Sequence, residues 1–170
     1  MEFVLREFRR EDFDVLWRID QECFAPGIAY SRMELAAYIR LRGAFTVVAE
    51  SRNTNGFVKE SPLKLLGFIV AQARAARGDR AGRGHILTID VPPASRRFGV
   101  GSKLLATAEE RLRAAACQTV VLETALDNSA ALAFYKRHQY SVVKTIPRYY
   151  SNGVDAFVLE KELHSSSEDK

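Results

Sequence analysis

The stretch PASRRFGVGSKLL, residues 92–104, decides how this chain is read. The apolar run Ile86–Val91 leads into it, and an apolar stripe at helical spacing leaves it. Between them stand Arg96, Arg97, Gly99 and Gly101. A strand that turns into a helix presents the unpaired amides and positive dipole end of the first helical turn. Glycines let such a turn approach an anion closely. The spacing Arg96-x-x-Gly99-x-Gly101 is not a P-loop, and it is not G-x-G-x-x-G because position 104 is Leu. ATP and dinucleotides are therefore disfavoured, and glycine spacing alone fits a plain tight turn equally well.

Working outward, Val100, Leu104, Leu105, Ala108 and Leu112 form one helical stripe. Upstream, residues 2–8 alternate as an edge strand, and Asp12 caps a helix through Trp17, a core anchor, to about Cys23. Ser31 and Glu34 make a capping box for a second helix closed by Gly43. Strands follow at 44–50, 63–73 and 85–91, with a hairpin loop at 51–62 around Asn55-Gly56 and an Arg- and Gly-rich loop at 74–84. Downstream come a strand at 119–125, a helix capped at Asp127-Asn128, and two last strands around the turn PRYYSNGV. The order β-α-α-β-β-β-α-β-α-β-β predicts an α/β (α+β) domain over residues 1–163, one mixed sheet with helices on both faces. Residues 164–170 read as a polar, frayed tail.

Composition agrees with a single folded unit. Of 170 residues, 47% are hydrophobic and 27% charged. The apolar runs are too short for a membrane span, and the charged start lacks a signal-peptide core, so the expected location is cytoplasmic. Cys23 and Cys117 form no disulfide framework, Cys117 reads as buried at a strand start, and the three histidines have no metal-ligand spacing, so no metal is expected. Charge is uneven: Arg74, Arg77, Arg80, Arg83, Arg96, Arg97 and Lys103 against Asp79 and Asp90 place +5 within residues 74–103, seven minus two, out of a net +4. Such a region favours an anionic partner, phosphate or nucleic acid.

A second constellation adds specificity. Glu123 sits in a strand among apolar neighbours, as a carboxylate with a raised pKa would need to act as a base. Asn128 caps the next helix, and Tyr135 lies two turns into it. Taken together, R-x-x-G-x-G after a strand, L-E some twenty residues on, and N-x-x-A-x-x-F-Y closely resemble the GNAT acetyltransferase family, over roughly residues 2–162. The segment PRYYSNGVDAFVLEKEL, with its paired tyrosines, looks like the RimI-type and related protein N-terminal acetyltransferases.

That resemblance implies a twisted, mostly antiparallel sheet of about seven strands and acetyl-CoA as cosubstrate. It implies a pyrophosphate cradle at Arg96, Arg97, Phe98, Gly99, Val100, Gly101 and Ser102, and a strand edge at Ile89, Asp90 and Val91 for the pantetheine arm and acetyl oxygen. Asn128 would lie near the pantetheine, Glu123 would take a proton from the amine, and Tyr135 would protonate the thiolate. Phe24, Tyr30, Tyr149 and Tyr150 would wall the groove for a protein or peptide N-terminus, a ribosomal protein being the first candidate. The alternatives are a small-amine acetyltransferase acting on a polyamine, antibiotic or amino acid, a fold that only senses acetyl-CoA, and a ribosome- or RNA-docking module using a splayed basic cluster at Arg74–Arg83. One departure is local: where the family has Leu-Gly-Phe after the Tyr135 helix, this chain has His138-Gln139-Tyr140, at an expected cost of ~1 kcal/mol for losing a glycine at a left-handed helix end.

Overall fold

The computed structural model describes residues 1–52 and 64–164. The Asn55-Gly56 turn and the tail from position 165 lie outside the described residues. Seven strands form one sheet in the order β1-β2-β3-β4-β5-β7-β6. They are β1 (Phe3–Glu7), β2 (Ala44–Ser51), β3 (Leu65–Arg74), β4 (Gly82–Asp90), β5 (Cys117–Ala125), β6 (Ser141–Ile146) and β7 (Ala156–Glu162). All neighbours run antiparallel except β4 and β5, which are parallel and joined by a crossover helix. The helices are α1 (Phe13–Cys23), α2 (Arg32–Ile39), α3 (Val100–Ala114) and α4 (Ser129–Arg137).

Each face of the sheet has its own core. Leu104, Leu105, Ala108 and Leu112 of α3 are fully buried against Ile69, Ile86, Val120 and Leu122. On the other face Leu16, Ile19 and Leu35 from α1 and α2 meet Val48, Phe68 and Val70. Each buried leucine contributes roughly 2 kcal/mol. Trp17 is partly buried and packs against this second core, with its indole N–H donating to the carbonyl of Tyr30 at 3.2 Å. The expected capping box at Ser31 and Glu34 is formed, and Cys117 is buried as the first residue of β5.

The alternation of β4 slips once. Thr88 faces Val70 and Ile86 faces Ala71 in register, so Leu87 is an extra residue. Such a bulge re-aims the side chains beyond it. Ile86 and Ile89 stay with the α3 core while Leu87 joins the α1 side. Thr88 and Asp90 are both buried.

The departure after α4 has a structural account. Gln139 adopts φ 69°, the left-handed conformation that favours glycine. Tyr140, in place of phenylalanine, donates its hydroxyl to Glu109 Oε1 at 2.8 Å, and Lys161 donates to Oε2 at 2.8 Å. The buried Glu109 carboxylate is thus satisfied, and α3 is tied to the last strands. His138 donates Nδ1–H to the carbonyl of Phe134, so its Nε2 accepts from the Ser102 hydroxyl at 3.1 Å. Gln139→Gly should therefore stabilise the fold by about 0.5–1 kcal/mol and raise Tm by roughly 2–4 °C in a thermal melt. An unchanged or lower Tm contradicts the strain at this position.

Candidate active site

The parallel pair β4–β5 does not stay paired. Its register runs from Gly82–Cys117 to His85–Val121 and stops. Beyond that point β3 holds β4 as far as Asp90, and β7 holds β5 as far as Ala125. The two inner edges part at the carboxyl ends of parallel strands, the place where open α/β sheets receive ligands.

One side of this gap ends in the 92–104 turn. Arg97 has φ 65° and Gly99 has φ 79°, a left-handed backbone of the kind that gathers amides into an anion nest. The first amide of α3 with a carbonyl partner is that of Lys103, bonded to Gly99 at 3.0 Å. The six before it, Arg97 to Ser102, have no acceptor among the described residues. A Cβ added at Gly99 would meet nothing within 4 Å, so the turn is an open cradle. A Cβ at Gly101 would touch the ring of Phe134 at 3.4 Å, so this glycine lets α4 close on α3. Arg96 donates Nε–H to the carbonyl of Val91 at 2.8 Å and braces the turn from behind, while Phe98 is half exposed. Asn128 caps α4 by accepting from the amide of Ala131 at 3.1 Å.

The opposite face carries the titratable groups. Glu123 Oε2 lies 2.7 Å from His85 Nε2, with the two side chains 20% and 15% exposed. The apolar surroundings expected for Glu123 are thus replaced by an imidazole. Tyr38, Tyr149 and Tyr150 lie near enough to Glu123 for its charge, after burial, to raise their phenols. Tyr149 and Tyr150 stack edge-to-face at 4.9 Å, and Tyr30 lies 4.9 Å from Tyr38. Tyr30 donates its hydroxyl to the carbonyl of Leu87 at 3.1 Å, on the bulge of β4. Phe24 and Tyr30 line a groove with Trp17, Gln21, Glu34 and Ser151. Ser151 donates to the carbonyl of Gly27 at 2.8 Å, so the early turn and the tyrosine loop touch. Tyr135 is buried in the α3 core, and burial with the nearby Asp90 and Tyr150 raises its phenol, so it holds its proton at neutral pH.

Asp90 and Asp20 face one another with no exposure to solvent. Burial raises both carboxyls. Asp20 Oδ2 accepts from the Tyr30 amide at 2.8 Å and the Gln21 amide group at 3.0 Å, and Asp90 accepts from the Thr88 hydroxyl. One oxygen of each, Asp20 Oδ1 and Asp90 Oδ2, has no donor. A proton shared between the two carboxyls satisfies both oxygens. The pair ties α1 to the end of β4.

The basic stretch is not one region. Arg74 ends β3 and Arg83 lies in β4, so only Arg77 and Arg80 occupy the turn, where their backbones pair. Arg83 bonds to Glu160, and Arg74 to Gln72 and His85. At strand spacing, roughly 25 Å of β4 separates this hairpin from Arg96 and Arg97. The splayed cluster of four arginines is therefore two paired strand residues and two turn residues. Local sequence does not mark His85 or Asp20 as site residues; each meets its partner through β4–β5 or α1–β4 packing. The signal available was a polar side chain in an otherwise apolar strand or stripe.

Residues 5–140 match the Acetyltransferase (GNAT) family. A Methanocaldococcus jannaschii protein named as an uncharacterized N-acetyltransferase is 28% identical over 160 residues, covering 94% of this chain and 91% of that one. N-alpha-acetyltransferase 30 of Schizosaccharomyces pombe is 33% identical over 94 residues, 55% of this chain and 62% of that protein. A chain of the NatC complex, crystallised with Gag peptide and CoA, superposes with a TM-score of 0.77 at 28% identity, covering 96% of this chain and 100% of that one.

The buried carboxyl pair sets a pH test. Burial raises Asp90 in the folded state, so the stability it contributes is complete below the unfolded carboxyl range and falls as pH rises above it. Asp90→Asn keeps a donor toward Asp20 without that dependence. It should melt roughly 3 °C higher than the parent at about pH 8, with the gap closing toward about pH 4. A gap that widens toward acid contradicts the shared proton.

Proposed function

The chain belongs to the GNAT acetyltransferase family, and on that premise we propose that it carries acetyl from acetyl-CoA to the N-terminal α-amino group of a protein or peptide. The observation that carries this reading is Glu123 at the parted edge of β5, ringed by Tyr38, Tyr149 and Tyr150 where two loops meet. A chain end can enter such an aromatic mouth amine first. The NatC chain is a relative with a peptide and CoA in its crystal.

Acetyl-CoA supplies a thioester carbonyl ready for acyl transfer. The residues present fit it. The unpaired amides of Arg97 to Ser102 suit a pyrophosphate, and the open position at Gly99 leaves room for it. Ile89 to Val91 offer a strand edge not paired with β5, with a backbone N–H for the acetyl oxygen. Asn128 stands at the facing end of β5, and Phe98 at the outer lip of the turn.

Glu123 takes the proton of the incoming ammonium, directly or through one water. An α-amino group has a pKa near 8, so a modest base suffices and orientation supplies most of the gain. Tyr135 keeps its phenol proton and gives it to the departing sulfur. Burial pushes the Cys23 thiol up to about 12 and raises that of Cys117, so neither offers a thiolate nucleophile near neutral pH. This supports direct attack by the amine in a ternary complex.

Thiol release from acetyl-CoA, measured against a panel of N-terminal peptides and free amines, tests the reading. Peptides should turn over, and Glu123→Gln and Tyr135→Phe should each lower kcat roughly a hundred-fold. Release with free amines alone defeats the assigned acceptor, and parental rates in both variants defeat the assigned roles.

A further inference from the structure

Both ring nitrogens of His85 are engaged. Arg74 Nη2 stands 3.3 Å from Nδ1, and Glu123 Oε2 stands 2.7 Å from Nε2. A guanidinium only donates and does not lose its proton in a protein. Nδ1 of His85 must therefore accept, and the single ring proton lies on Nε2, aimed at Glu123. Arg74 is itself fixed. Its Nε–H donates to Gln72 Oε1 at 3.1 Å, and Gln72 Nε2 donates to the carbonyl of Arg42 at 2.9 Å. That last bond decides which amide atom of Gln72 faces Arg74. From the carbonyl of Arg42 to the carboxylate of Glu123, every contact admits one polarity.

We propose that Gln72 and Arg74 form a hydrogen-bonded relay that locks His85 as its Nε2–H tautomer and so orients Glu123 for proton transfer. The inference rests on Glu123 as the base, and it explains why Glu123 and not His85 has that part. In this tautomer both nitrogens of His85 are occupied, Nε2–H by Glu123 and the Nδ1 lone pair by Arg74. Glu123 Oε1 has no side-chain partner among the described residues and remains able to accept. His85, Arg74 and Gln72 are positioning residues, acting through the carboxylate. Arg74, though exposed, is thus a hydrogen-bonded residue of β3 and not a loop arginine, and among the described residues no side-chain hydrogen bond joins Arg77 to the relay.

Two measurements on the full chain test this. Two-bond proton–nitrogen spectra of protein labelled with nitrogen-15 histidine read the tautomer, with His85 identified among the three histidines by His85→Gln. Steady-state kinetics with a peptide acceptor give kcat and KM separately. The parent should show the Nε2–H pattern for His85 at neutral pH. Arg74→Met should lose that pattern and lower kcat roughly ten-fold with the acceptor KM unchanged. Arg74→Lys, also a pure donor, should restore the pattern and most of kcat, and Arg77→Met should alter neither. An Nδ1–H pattern in the parent overturns the proposal. So does Arg74→Met with tautomer and kcat both intact, or with the tautomer lost and kcat kept while Glu123→Gln is slow. Full speed in Glu123→Gln would instead remove Glu123 as base, and the spectrum would still decide whether the lock exists.

Discussion

Two parallel strands that stop pairing halfway along their length govern the rest of this molecule. β4 and β5 share a ladder only as far as His85 and Val121. Each is then held from its outer side alone, β4 by β3 and β5 by β7. Inner-edge backbone groups left in this way need partners. Some are supplied locally: Tyr30 bonds the carbonyl of Leu87, and Arg96 bonds that of Val91. The remainder line the gap between the two strands, with an amide-lined turn at its end. The bulge at Leu87 belongs to the same device, because it turns Thr88 and Asp90 toward α1 while Ile89 stays in the α3 core.

Around the gap, burial sets which groups keep their protons. It raises the carboxyls of Asp90 and Asp20, the thiol of Cys23 and the phenol of Tyr135, while Glu123 meets the imidazole of His85. On the proposed roles, Glu123 and Tyr135 lie on opposite faces of the sheet and meet only through the gap. A closed β4–β5 ladder would separate Glu123 from Tyr135 by a continuous sheet. On the proposed transfer to an amine of pKa near 8, positioning by the fold would supply most of the gain.

Much of this is legible in the chain. The turn at 92–104 has the strand-turn-helix form its sequence predicts, because its glycines set local backbone geometry. The Ser31–Glu34 box and the left-handed Gln139 are equally local, and the structure has both. What sequence does not reveal is pairing across long separations. His85 and Glu123 are 38 residues apart and meet only because β4 and β5 adjoin. Asp20 and Asp90 meet through the docking of α1, and a period of two along β4 conceals the extra residue at Leu87. Arg74 reads as loop because four arginines and three glycines crowd residues 74–84, yet hydrogen bonding carries β3 through Arg74 and starts β4 at Gly82. Tyr140 reads as a mere departure until its hydroxyl is seen on Glu109.

On the proposed function, coenzyme A and the acceptor enter the parted strands from opposite faces. Amide hydrogen exchange, with coenzyme A and then an acceptor peptide added in turn, tests it most directly. Coenzyme A should slow exchange at Ile89–Val91 and Arg97–Ser102 and leave the 147–155 loop unchanged, and the peptide should then slow that loop. Protection at the Arg77–Arg80 turn in place of the Arg97–Ser102 amides, or none at either strand edge, would rule out this arrangement.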